Sequence, residues 1–124
     1  MVLGLVLLPA AAGVLAFLLR SDSLRRMLLV AASLAHAGIV VACLVAGGGA
    51  GPGEWLRLDA LGLVFLSIIS VLFLASAFYA VGYLRREGTG PPRDFEEGQL
   101  FADAPERVFV GCLLFFLAAM SLVI

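Results

Sequence analysis

The sequence has few charged residues and lacks lysine. Charged residues make up 14% of its 124 positions, all eight basic residues are arginine, and there is one histidine. The net charge of −1 provides no electrostatic basis for binding nucleic acid. The two cysteines, Cys43 and Cys112, have neither metal-ligand spacing nor the numbers of a disulfide framework. Zinc-protease, thiol-redox and nucleophile-elbow motifs are missing. The sequence therefore predicts no catalytic residue, metal site or cofactor of its own, and it identifies no small-molecule substrate.

Hydrophobic residues dominate what is present. They make up 63% of the chain, and the mean hydropathy is +1.13. A chain this short is unable to bury so much apolar surface inside itself, so we expect the lipid bilayer to be part of its solvent.

Four apolar runs are long enough, or nearly so, to cross a hydrocarbon core of about 30 Å as helices. The predicted fold is an all-α, multi-pass transmembrane bundle forming a single membrane domain over residues 1–124. We expect helices at about 2–19, 27–46, 60–83 and 104–124.

The arginines predict the orientation. Three lie between the first and second helices and four in or beside the third connection, whose loop spans 84–103, whereas the second connection holds only Arg57. The positive-inside rule then places the 84–103 loop in the cytoplasm and the N-terminus outside, in the cell (inner) membrane. No basic residue precedes the first apolar run, so we expect a retained helix rather than a signal peptide.

Two helix starts have capping signals. Asp59 precedes the third helix, where its carboxylate suits the free amides and the positive end of the helix dipole. Asp103 and Glu106 have the spacing of a capping box, which predicts that the fourth helix starts near Ala104.

His36 and Asp59 are the two polar candidate site residues. His36 lies near mid-membrane, where an ionisable side chain is a functional candidate by default. The alternative is a neutral imidazole that hydrogen-bonds a neighbouring helix. We favour that alternative because the apolar runs contain no Asp, Glu, Lys or Arg to complete a proton path. His36→Gln should then preserve assembly and ion translocation.

Ser76, Tyr79 and Tyr83 lie on one stripe of the third helix. Their spacing favours a helix–helix contact over a cofactor site. The two cysteines should lie near opposite leaflets, too far apart to form a disulfide.

Several ordered runs carry a family resemblance. They are LLP at 7–9 with GVLAF at 13–17, RLDALGL at 57–63, FYAVGYLR at 78–85 and FFLAAMSLVI at 115–124. In this order the chain resembles the N-terminal region of the antiporter-like proton-conducting subunits. These occur in respiratory complex I, in membrane-bound hydrogenases of the formate-hydrogenlyase type and in Mrp-type sodium/proton antiporters.

The resemblance implies a non-catalytic subunit, or the N-terminal piece of one, in an ion-pumping oxidoreductase complex such as an NADH-quinone oxidoreductase. The partners would be other membrane subunits that hold the redox centres. The family's ion-path residues lie beyond the matched region, so none is carried over to this chain. The fourth helix lacks an interfacial anchor at Ile124, so we expect an interrupted chain that does not conduct ions alone.

Two other functions are open. A small four-helix accessory or assembly subunit of a membrane complex fits the lack of intramembrane charge equally well. A small stand-alone transporter ranks last, because proton-coupled transport of that kind requires a membrane-embedded carboxylate.

Overall fold

A computed structural model describes residues 2–47, 58–87 and 106–124. These residues form four helices: α1 (Val2–Leu18), α2 (Asp22–Val45), α3 (Ala60–Glu87) and α4 (Glu106–Val123). The predicted all-α fold of four helices is confirmed. Three of them, α2, α3 and α4, are long and apolar enough to cross a membrane, and α1 is a shorter apolar helix of 17 residues.

Two helix boundaries within the described residues differ by more than one residue from the predicted ones. The second helix begins at Asp22, not at residue 27, so Arg25 and Arg26 belong to its first turns. The third helix continues past residue 83 to Glu87. Both helices extend beyond their apolar runs because a carboxylate in a first turn and arginines in a last turn suit the helix dipole. The fourth helix is described from Glu106 onward, and the predicted start near Ala104, with its Asp103 cap, lies outside the described residues.

A glycine ends α2. The C-cap Ala46 is helical, and Gly47 follows it with a φ of +73°. The Gly47 amide donates to the Leu44 carbonyl at 3.2 Å. Glycine is the usual residue for this left-handed position because it has no Cβ to clash with the backbone.

The helices alternate in direction, so each end of the bundle contains two helix starts and two helix ends. Hydrogen bonds from Arg25 and Arg26 join the end of α1, the start of α2, the end of α3 and the start of α4. We call this the arginine end. It holds Arg20, Arg25, Arg26, Arg85, Arg86 and Arg107.

Helices α1 and α4 pack closely through a reciprocal pair of glycine and phenylalanine side chains. A methyl group at Gly111 would lie 2.5 Å from Phe17 Cε2, and one at Gly13 would lie 3.3 Å from the Phe115 ring. The two rings stack with their centroids 6.3 Å apart. On each helix the glycine lies four residues before the phenylalanine. Each glycine leaves the space that the phenylalanine ring of the other helix occupies.

The interior has two hydrophobic clusters. The cluster nearer the arginine end includes Ala16, Leu29 and Leu114. The cluster nearer the opposite end includes Leu5 and Val40. Buried polar side chains lie between these clusters: Ser33, His36 and Ser70. The bundle is thus apolar at both levels, with a polar layer between them.

Candidate functional site

Arg25 caps the end of α1 from the neighbouring helix. Its Nε donates to the Ala16 carbonyl at 3.0 Å, and a terminal nitrogen donates to the Leu19 carbonyl. A second terminal nitrogen is paired with Asp22, one turn earlier on α2. The Ala16 carbonyl is among the last four of α1, which have no partner within a helix. The buried guanidinium provides that partner and also places a positive charge at the negative end of the α1 dipole.

Arg26 performs a similar role for the other two helices. Its Nε and one terminal nitrogen donate to the two Glu106 carboxylate oxygens at 2.7 and 3.0 Å. The same terminal nitrogen also donates to the Leu84 carbonyl at 3.1 Å, in the last turn of α3. Glu106 is the first residue of α4, where a carboxylate suits the helix dipole.

Two adjacent residues of α2 therefore hold all three other helices. The paired charges are largely shielded, since the Arg26 and Glu106 side chains are 20% and 14% exposed. A bidentate arginine–carboxylate pair with this degree of burial is stronger than an exposed pair, and it fixes the orientation of both side chains. The arginine end is accordingly a rigid structural junction.

His36 joins three helices near the middle of the bundle. Its Nε2 lies 2.9 Å from Ser121 Oγ on α4, and its Nδ1 lies 3.3 Å from Ser70 Oγ on α3. The side chain is buried, with 1% exposure. The hydrogen bond to a neighbouring helix that the sequence predicts is present, and it is made on both sides of the ring. We call His36, Ser70 and Ser121 the His36 layer.

The hydrogen-bond network assigns the tautomer of His36. Ser121 Oγ donates its proton to the Leu117 carbonyl at 2.9 Å, so it accepts from the histidine. Nε2 therefore carries the imidazole proton, and Nδ1 accepts from the Ser70 hydroxyl. The chain of donors runs from Ser70 through His36 and Ser121 to a backbone carbonyl, where it ends.

All of these polar groups are satisfied without a charge. Among the described residues, every buried side-chain nitrogen and oxygen has a hydrogen-bond partner. That is the usual state of a polar group in a folded interior, because an unpaired one costs free energy. The His36 layer therefore has the chemistry of a neutral helix–helix junction.

Asp59 is a helix cap, as its position predicts. Its Oδ1 accepts from the Gly62 amide at 2.7 Å, and its carbonyl accepts from the Leu63 amide at 3.0 Å. A free amide of the first turn of α3 is satisfied in this way. Asp59 lies at the end of the bundle opposite the arginine end, and it makes no contact with the His36 layer in the part of the chain that is described.

The stripe of Ser76, Tyr79 and Tyr83 lies on an outer face of α3. Tyr79 is 78% exposed and Tyr83 is 50% exposed. Together with Phe109 and Leu113 of α4, they line an open groove of about 500 Å³. The sequence predicts a helix–helix contact for this stripe. Within the chain the stripe meets α4 on one side only, because the groove is open on its outer side.

Comparisons with protein-family models, with curated proteins and with solved structures find no match.

Neither a metal-binding cluster nor a disulfide occurs among the described residues. Among them, no group of three His, Cys, Asp or Glu side chains is placed to hold a metal ion. The cysteines are both free, with Cys43 buried and Cys112 exposed.

The structural roles of Arg25, Arg26 and Glu106 are not among the sequence-based predictions. Those predictions take the two arginines as topology signals and Glu106 as part of a capping box. One signal would have identified Arg25. It lies one turn before Leu29 on the same stripe of α2 that carries Ala32, His36, Val40 and Cys43, all buried. An arginine that continues an interior stripe by one turn is expected to point inward.

Proposed function

We propose that this chain is a non-catalytic membrane subunit, or a piece of one, that packs against other membrane subunits of a larger complex. The observation that carries the proposal is the open groove between α3 and α4. In lipid, helices associate through close packing and interhelical hydrogen bonds, and small or hydroxyl-bearing residues concentrate at such contacts. The groove has Ala75, Ser76 and Tyr79 on its α3 side.

The interior chemistry supports a structural role for the chain itself. The His36 imidazole, in the interior of the described helices, donates and accepts within a network that ends at the Leu117 carbonyl. A proton relay would require further titratable groups at similar depth. Among the described residues, no Asp, Glu, Lys or Arg lies in α2 after Arg26, in α3 before Arg85 or in α4 after Arg107.

The ordered sequence runs support the proposed kind of complex. Their resemblance to the antiporter-like proton-conducting subunits favours an ion-translocating oxidoreductase, such as an NADH-quinone oxidoreductase or a membrane-bound hydrogenase. Ion path and redox centres would then belong to other parts of the assembly.

The arginine end supports the proposed orientation. Six arginines from four helix ends lie together there. With that end in the cytoplasm, the N-terminus of α1 is outside, in agreement with the positive-inside rule.

Photocrosslinking tests the proposal. A benzophenone side chain at position 79, in the groove, should form an adduct with another membrane protein in native membranes. The matched control is position 41, because Val41 is 57% exposed on an outer face of α2. A partner with Glu or Lys inside its membrane helices would support an ion-translocating complex, whereas a partner without them would favour the accessory-subunit alternative. Adducts with lipid alone at both positions would contradict the proposal.

A further inference from the structure

A second groove lies on the other side of the bundle, between α2 and α3 at the arginine end. Its volume is about 460 Å³, within the usual range for small-molecule sites. The wall is apolar along most of its length, with Met27, Val30, Ala31 and Leu34 from α2. At the arginine end, the groove is bordered by Ser23 and Arg85.

The length of this groove matches one leaflet of a bilayer. From Ser23 to Leu34 the axial rise is about 16 Å, at about 1.5 Å per residue. Half of a hydrocarbon core of about 30 Å is about 15 Å. The polar mouth therefore lies at headgroup level when the apolar wall reaches the middle of the membrane.

The mouth of the groove has a positive charge that forms no ion pair with the described residues. Arg85 is exposed, and it takes part in neither of the ion pairs among the described residues. The carboxylates of those pairs are already engaged, Asp22 by Arg25 and Glu106 by Arg26. Arg26 also borders the groove, but two of its nitrogens are held by Glu106. Of the described arginines that border the groove, Arg85 is thus the one available to a ligand.

We propose that this groove binds an anionic phospholipid. One acyl chain lies along the apolar wall of α2, and the headgroup phosphate accepts hydrogen bonds from the Arg85 guanidinium and the Ser23 hydroxyl. An arginine fork suits a phosphate because it can donate two parallel hydrogen bonds. The site prefers an anionic headgroup over a zwitterionic one, because neither paired carboxylate is free to receive an ammonium group. Basic pockets between membrane helices are known to bind anionic headgroups in this way.

Lipid titration monitored by native mass spectrometry tests the proposal. The purified chain in detergent is titrated with phosphatidylglycerol, and separately with phosphatidylethanolamine of the same acyl composition. Phosphatidylglycerol should bind more tightly. Arg85→Gln should weaken its binding about fivefold, the contribution expected of one basic residue near a headgroup.

Two further variants separate this site from general attraction. Arg107→Gln removes the same charge at the same end, from an exposed arginine outside the groove, and should leave the affinity unchanged. Ala31→Trp fills the groove at an exposed position without changing any charge, and should weaken binding.

Several results would overturn the proposal. Equal losses in Arg85→Gln and Arg107→Gln would indicate nonspecific electrostatic attraction. Equal affinity for the two lipids would show that the site does not select an anionic headgroup. Unchanged affinity in Ala31→Trp would show that the lipid does not bind in the groove. Full displacement by inorganic phosphate would assign the contact to a free anion. The melting temperature of each variant in detergent checks that it remains folded.

Discussion

The arginine end and the His36 layer both join helices through polar side chains, but only the arginine end uses charge. Arg25 and Arg26 bind carboxylates and terminal carbonyls at the ends of the helices. His36 binds two hydroxyls near the middle of the bundle. The difference follows from solvation, because the free-energy cost of burying a charge rises steeply toward the centre of a bilayer. A neutral imidazole is a polar connector that this depth tolerates.

The two regions should also differ in how much stability they provide. Unpaired carbonyls and a broken buried ion pair cost up to a few kcal/mol. Interhelical hydrogen bonds between neutral side chains in membranes average about 0.6 kcal/mol. We therefore expect the largest losses of stability from variants at the arginine end and the smallest from variants in the His36 layer.

The largest effect is expected at Arg25. Arg25→Ala leaves the Ala16 and Leu19 carbonyls without their donor and removes the charge at the end of α1, so the free energy of unfolding should fall by about 2–4 kcal/mol. Unfolding in mixed micelles of dodecyl maltoside and sodium dodecyl sulfate would measure it. Arg20→Ala is the control, since Arg20 is exposed beside it, and should change stability by less than about 0.5 kcal/mol. Similar losses in both variants would mean that Arg25 acts only as a surface charge.

A smaller effect is expected from the Arg26–Glu106 pair. A double-mutant cycle with Arg26→Gln and Glu106→Gln should give a coupling energy of about 1–2 kcal/mol, between the values of exposed and buried pairs. Because both side chains are mostly shielded, raising the salt concentration should reduce the coupling only slightly. The control cycle pairs Glu106→Gln with Arg20→Gln, and it should be additive. Additivity in the first cycle as well would show that the pair does not contribute to stability.

The sequence was sufficient for the features that depend on local patterns. Apolar run length predicts the four helices, and the position of Asp59 before an apolar run predicts its cap on Gly62. His36 could be expected to contact a neighbouring helix, since a polar side chain at that depth requires a partner.

The identity of each contacting side chain depends on which helices are adjacent, and local sequence patterns do not contain that information. Glu106 is 80 positions from Arg26 along the chain. In the sequence alone, its spacing from Asp103 indicates a capping box and not an ion pair with α2. The contact of Gly13 with Phe115 and of Gly111 with Phe17 is another case. Each helix has a glycine four residues before a phenylalanine, but only the antiparallel packing of α1 on α4 shows that the two pairs interlock.

The smallest effect, and the sharpest test of the His36 layer, is the difference between its two serines. Ser121 Oγ receives the Nε2 proton at 2.9 Å, whereas Ser70 Oγ donates to Nδ1 at the longer distance of 3.3 Å. Ser121→Ala leaves a buried donor without an acceptor and should cost about 1 kcal/mol, while Ser70→Ala should cost about 0.5 kcal/mol or less. The two variants are matched controls, because each removes one hydroxyl from a partner of the same ring.

Nitrogen-15 NMR of the imidazole should show Nε2 protonated and Nδ1 unprotonated. A protonated Nδ1, or a larger loss for Ser70→Ala, would reverse the assigned direction of the hydrogen bonds. The hydrogen bonds would then run from Ser121 through His36 to Ser70, and the network would no longer end at the Leu117 carbonyl.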